Sequence, residues 1–302
     1  MYRFLVARFY MDDLASRRQL EDVQEILENS PSAIESTYDQ CMQRIQEAKH
    51  DDRRFAMNLL LWMIFSIRQL NADELRHAAS IGPRMKSLDP EDVLQADELA
   101  SLCAGLVIID ARGLILFVHL SAQEYLDGAG RKWFENGHGA IARQCMTYMS
   151  LKSFESCISP DTTFSLVSDY PLLEYACVAM RLHMELAGAT NDLMEVALEL
   201  LSDKRRTEIM GLILSSFMVI DPGMRERYVE MTAPMVECFF GLEIVFKSLN
   251  IVKHFKRSDT ASVFHDASEE QKAECRNLFL EQTSLHSFLI RRSLQEQSGR
   301  PR

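Results

Sequence analysis

The chain has 302 residues, 47% of them apolar and 25% charged, which is ordinary usage for a globular protein able to bury a sizeable core in one large or two medium domains. Its formal net charge is −11. That balance argues against a phosphate backbone as partner, because such binding rests on Lys and Arg displacing counterions.

In chain order, residues 1–16 are helical by pattern and begin without a cap. Residues 20–28 form a short helix with Val23, Ile26 and Leu27 on one face, broken by Asn29-Ser30-Pro31. Ser32 and Glu35 have capping-box spacing, and Ile34, Tyr38, Cys41, Met42 and Ile45 repeat at helical spacing behind them to about Lys49. His50-Asp51-Asp52 reads as a polar break. Residues 53–67 carry apolar side chains on every face, as a central helix does. Asn71 and Glu74 cap the next helix, which Gly82-Pro83 ends, and Asp89-Pro90 is a good N-cap and N1 pair. A helix over 97–104 then leads into two short apolar runs.

Those runs, 106–110 and 114–120, flank Ala111-Arg112-Gly113 and predict a β-hairpin, with Gly113 supplying a positive φ in the turn. Strand alternation would point Val118 and Leu120 one way and Phe117 and His119 the other. The second strand runs straight into a helix whose Ser121 and Glu124 have capping-box spacing. His119 therefore stands where a strand ends and a helix begins, beside backbone donors of the kind that favour anions. Three helices, a two-stranded wing and a closing helix make a winged helix over roughly 53–127. Beyond it, 140–151, 171–186, 193–201 and 208–219 read as helices, with a polar loop at 156–170.

Residues 117–126, Phe-Val-His-Leu-Ser-Ala-Gln-Glu-Tyr-Leu, resemble the F-x-H-x-S-x-Q-E-[FY]-L signature. That signature closes the winged-helix domain of NACHT-type signal-transduction NTPases, the NOD-like receptors and their fungal relatives. IESTYDQCMQRI, from Ile34 to Ile45, is similar to the family's L-x-E-T-Y-D-x-x-x-x-R-I. The family's R-P-L-T-x-x-E-L has its counterpart at 68–75, with Gln69 where the proline usually stands. YPLLEYACVAMRLHMELA, from Tyr170, is similar to Y-P-[LF]-L-x-Y-A-x-x-x-W-x-x-H-x, without the usual tryptophan; Met180 or Arg181 stands near its place. The resemblance covers about 1–188 and is strongest in 34–126. It implies that His119 reaches the nucleotide phosphate held by a neighbouring NTPase domain and helps keep the protein closed. Residues 1–16 resemble the end of the helical segment after the NTPase core, so the start reads as that of a truncated gene, an incomplete gene model or a fragment. The organisation expected is a helical segment over 1–50, a winged helix over 51–128, a helical extension over 129–188 and an α-helical region over 189–302. In that last region Thr232 to Val245 resembles a worn ankyrin unit. An extra residue splits Thr232 from Pro234, Val236 stands in place of the histidine, and no second copy follows.

The sequence holds no G-x-x-x-x-G-K-[ST] loop, no G-x-G-x-x-G after a strand and no G-x-S-x-G elbow. Its eight histidines form no H-E-x-x-H and no zinc spacing with cysteine couples. His183 and Glu185, two apart, lie on different helix faces. No catalytic residue, cofactor or metal site is therefore expected. His119 is the only histidine with a positional argument, as a phosphate sensor conditional on an NTPase domain being supplied. Asp97 and Glu98, with no Lys or Arg, mark the helix that would read DNA, which argues against nucleic acid. Lys253, Lys256, Arg257, Arg291 and Arg292 read as solvated helix faces. Seven cysteines, none in C-x-x-C spacing, suit a reducing compartment. No apolar run reaches the ~20 residues of a membrane helix, and the first residues lack a signal-peptide pattern, so no membrane partner is expected and the cytoplasm is the expected location. The expectation is a mostly α, non-enzymatic regulatory fragment of a fungal-type NACHT or NOD-like receptor, acting by packing on a NACHT domain or other proteins. The alternative is a free-standing helical or ankyrin-type adaptor.

Overall fold

The computed structural model describes residues 30–156, 166, 168–188, 190–203, 206 and 209–210. The expected helices at 1–16 and 20–28 and the ankyrin-like stretch lie outside them, as do nearly all of 208–219 and most of the loop at 156–170. The described residues divide into two compact units. One holds 30–66, 70–80 and 89–135; the other holds 67–69, 81–88 and the described residues from 136 on.

In the first unit, α1 (Ser30–Glu47) starts two residues ahead of the expected Ser32 cap. Pro31 is tolerated there because a first-turn N–H has no partner within the helix. Tyr38, Cys41, Met42 and Ile45 are buried as their spacing predicts. In α2 (His50–Phe65) the expected polar break at 50–52 is instead the first turn. Asp51 and Asp52 suit that end because the helix dipole favours negative charge there. The helix buries Ala56, Leu59, Leu60, Leu61, Trp62 and Phe65. α3 (Ala72–Ser80) carries the predicted capping box: the Glu74 N–H donates to Asn71 Oδ1 at 2.9 Å, and the Asn71 N–H donates to Glu74 Oε2 at 2.8 Å. Asp89 and Pro90 open a 3-10 turn over Pro90–Asp92. α4 (Ala96–Leu102) is secured at its start by the Gln95 N–H on Glu98 Oε2 at 2.8 Å and buries Leu99.

The hairpin follows. β1 (Val107–Ile109) pairs antiparallel with β2 (Ile115–Phe117), with Val107 opposite Phe117 and Ile109 opposite Ile115. Gly113 has φ +78°, as the turn demands. The other turn-maker is Asp110, whose Oδ1 accepts the N–H groups of Arg112 at 2.8 Å and Leu114 at 3.0 Å. Both strands are shorter than the apolar runs. The Val118 N–H still reaches the Leu106 carbonyl at 2.9 Å. α5 (Leu120–Asp127) closes the domain, and α2, α3, α4, the two-stranded sheet and α5 form the winged helix. The fold is mostly α, as expected.

In the second unit α6 (Gly137–Met149) begins three residues earlier than predicted. Asn136, left-handed at φ 46°, caps it by accepting the Gly139 N–H at 3.1 Å. A Cβ on Gly139 would sit 2.5 Å from that amide, so only glycine admits this close cap, and two glycines in the first turn hid the helix start. α6 packs on α7 (Leu173–Leu186) and α8 (Asn191–Ser202). Met180, near where the resembled motif has tryptophan, is fully buried. The Ile67 N–H donates to Tyr175 Oη at 2.9 Å, and the Lys152 N–H donates to the Lys86 carbonyl at 2.9 Å, which ties the short segments 67–69 and 81–88 into this unit. Cys41, Cys103, Cys145 and Cys177 are buried free thiols. Burial pushes the Cys103 thiol up to about 12 and those of Cys145 and Cys177 higher still. Among the described residues no helix is long and apolar enough to cross a membrane.

Candidate functional site

The strand-to-helix junction differs from the predicted cap in an instructive way. The N-cap of α5 is His119, not Ser121: its backbone is extended (φ −155°, ψ 155°) and its Nδ1 accepts the Ser121 N–H at 3.2 Å. Imidazole Nδ1 stands as many bonds from the backbone as the Oδ1 of asparagine, so it can take the same orphan donor. Ser121 thereby falls inside the first turn. Its Oγ lies 2.8 Å from His119 Nδ1 and 2.8 Å from Tyr38 Oη on α1. Leu120, expected to point the same way as Val118, is 63% exposed while Val118 is buried, because helical backbone replaces strand alternation at that point.

These contacts fix the histidine's tautomer. A backbone N–H can only donate, so Nδ1 must be the acceptor, and in the neutral ring the proton sits on Nε2. His119 is exposed, and Nε2–H has no partner among the described residues. The ring is thus a pre-set donor directed away from the α5 backbone. Ser121 Oγ thus stands between the His119 ring and the Tyr38 hydroxyl, within hydrogen-bond distance of each.

A second bridge joins α1 to the end of the domain. Tyr125 donates its hydroxyl to Asp39, Lys132 Nζ donates to the same carboxylate at 2.8 Å, and Trp133 Nε1–H donates to Tyr125 Oη at 2.9 Å. The Tyr38 and Tyr125 rings pack with centroids 5.3 Å apart. Burial alone would raise the Asp39 carboxyl, but Lys132, Tyr125 and Trp133 outweigh it and hold Asp39 ionised below its ordinary range. Burial, and then the Asp39 charge, lift the Tyr125 hydroxyl far above its ordinary range, while burial lifts Tyr38 against the pull of Ser121. Two neighbouring residues of the E-T-Y-D-like run, Tyr38 and Asp39, therefore each bond a residue of the H-x-S-x-Q-E-Y-like run, Ser121 and Tyr125.

Sequence reading missed a histidine pair in the second unit. His183 is fully buried; its Nε2 lies 2.8 Å from Tyr175 Oη and its Nδ1 lies 2.9 Å from His138 Nδ1. Burial, reinforced by His138, drives His183 down to about 3. Both Tyr175 and His183 occupy lettered positions of the Y-P-L-L-x-Y-A-like segment, which was the available signal; His138 arrives only through packing. Among the described residues no three His, Cys, Asp or Glu side chains converge as a metal ion would need.

Structure and junction together define a winged helix that closes on an outward-facing histidine. Residues 42–133 match the family model described as the winged helix domain of GPI inositol-deacylase. The match spans under a third of the chain and covers α2 to α5 with the end of α1. No curated protein and no solved structure matches the chain.

Proposed function

We propose that this chain is a non-enzymatic regulatory fragment of a fungal-type NACHT or NOD-like receptor. In this reading the winged helix packs on a NACHT NTPase domain and His119 donates Nε2–H to the phosphate of the nucleotide held there. The observation that carries the reading is the capped Nδ1, which leaves the neutral ring only a donor to offer outward, the polarity an anionic phosphate requires. Two further observations support it. The winged-helix model that matches 42–133 belongs to a family found with NACHT-type proteins. The two motif-like runs, from the resembled receptors, also interlock through Tyr38–Ser121 and Asp39–Tyr125. The chain's own sequence has no phosphate-binding loop, so nucleotide is met only through the NTPase domain.

The test is ADP release from this chain fused to, or mixed with, a NACHT NTPase domain. His119→Ala should speed release about tenfold, the effect of one lost hydrogen bond to a charged group. Equal release from wild type and His119→Ala would overturn the reading.

A further inference from the structure

Beyond the residue proposed to meet the phosphate, the structure shows what holds its ring. Among the described residues, the hydrogen bonds of the His119 ring are made through Nδ1. The weaker of the two is the backbone N–H of Ser121 at 3.2 Å, a long bond. The shorter one is the Ser121 hydroxyl at 2.8 Å. A serine hydroxyl has one proton, which it can give either to Nδ1 or to the other neighbour at 2.8 Å, Tyr38 Oη. The Tyr38 ring is buried, and Ser121 Oγ is the hydrogen-bond partner of its hydroxyl among the described residues. Once Tyr38 donates, Ser121 Oγ is filled from that side and its own proton is turned to the histidine. The reverse order would put a proton on Nδ1 facing the Ser121 N–H, two donors against each other.

We propose that Tyr38 and Ser121 are positioning residues for His119: α1 reinforces the tautomer that the Ser121 N–H selects, and holds the ring's heading, by a directed hydroxyl chain, Tyr38 to Ser121 to His119, so that Nε2–H faces an anionic acceptor. This rests on the reading of His119 as the group presented to phosphate, and it adds α1 as the element that governs that presentation. A rotation of α1 that withdrew Tyr38 would empty the acceptor site on Ser121 Oγ, so that this oxygen could take a proton from the ring's Nδ1 side, weakening the bias without touching His119 itself.

The test reads the tautomer directly, on the full chain and without nucleotide, by long-range nitrogen–proton NMR of the His119 ring. The result is therefore separate from ADP release in a fusion. Wild type should show the Nε2–H tautomer. Ser121→Ala should raise the Nδ1–H fraction about fivefold, the population shift equivalent to one net hydrogen bond, and Tyr38→Phe should raise it in the same direction by less. Ser121→Thr, which keeps the hydroxyl, should restore the wild-type spectrum. Tyr125→Phe breaks the neighbouring bridge to Asp39 and should leave the His119 tautomer alone. An unchanged tautomer in Ser121→Ala and Tyr38→Phe would overturn the proposal. So would a change in Tyr125→Phe as large as that in Tyr38→Phe, since general loosening between α1 and α5 would then explain both.

Discussion

Each unit contains a chain of hydrogen bonds that runs from a tyrosine hydroxyl to a histidine ring, and the two are built for opposite ends. In the first unit, Tyr38 reaches His119 through Ser121, and the imidazole ends exposed with one nitrogen committed and the other directed outward. In the helical unit, Tyr175 reaches His183 directly, and that ring spends both nitrogens inside the protein, on Tyr175 and His138. Same chemistry, different solvent: a buried histidine must satisfy both nitrogens and stay neutral, because burying its charge or leaving a donor unpaired is costly. An exposed one can leave a nitrogen to water, and so to a ligand. The contrast separates a residue that holds the fold from one available to recognise something.

The largest effect should come from breaking the buried chain. His183→Ala removes a fully buried ring and its hydrogen bonds to Tyr175 and His138, so it should cost about 3 kcal/mol, cavity and lost hydrogen bonds together. Urea unfolding of the full chain measures it. A cost near that of an exposed substitution would mean that the buried chain does not hold the unit.

Acid sharpens the same contrast. The folded value for His183, about 3, lies below the ~6.5 of an unfolded histidine, so on acidification the unfolded chain takes up a proton that the folded chain refuses. The stability this provides is complete above about pH 6.5 and is lost as pH falls toward 3, at roughly 1.4 kcal/mol per pH unit. Comparing wild type with His183→Gln isolates it: the wild type's advantage should shrink steadily between pH 6.5 and 5. His77, held down to about 4 by burial and then by Arg76, titrates in the same window but is common to both proteins and cancels. A gap that stays constant over that range would show that His183 is accessible to protons in the folded state.

How much of this contrast was readable in the sequence follows from how local each feature is. The Asn71–Glu74 box, the Gly113 turn and the buried stripe of Tyr38, Cys41, Met42 and Ile45 depend on residues within a turn or two of each other, and they stand where the spacing put them. The cap of α5 was misassigned because serine is the commoner capping residue and imidazole is seldom considered as a mimic of asparagine. Asp51 and Asp52 looked like a break because their charge was read without the helix end that it favours. The partners of Tyr38, Asp39 and His138 lie 83, 86 and 45 residues away, and no spacing rule reaches that far. His119 could be singled out from sequence because its position at a junction is local; His138 could not.

In the winged helix the effects should be smaller and coupled. Ser121→Ala should cost roughly 1 kcal/mol, through the hydroxyl shared with Tyr38 rather than through a lost cap. A double-mutant cycle with Tyr38→Phe should return a coupling energy of about 0.5–1.5 kcal/mol, whereas additive losses would mean the two hydroxyls do not depend on each other.

The smallest expected effect is that of His119→Ala on stability. The substitution removes a side-chain acceptor for one N–H at the start of an eight-residue helix. That N–H is at an exposed junction, where water can replace the ring, so the cost should be about 0.5 kcal/mol, the low end for a lost cap. His119→Asn should recover most of it, because the asparagine Oδ1 can take the same Ser121 N–H. The pair therefore separates two duties of one residue. Asparagine can cap α5 but has no Nε2–H at the reach of an imidazole, so it should restore the unfolding midpoint without restoring ADP retention in a NACHT fusion. If asparagine restored both, the outward nitrogen would have no role and His119 would be a helix cap and nothing more. If it restored neither, the capping geometry itself would be wrong.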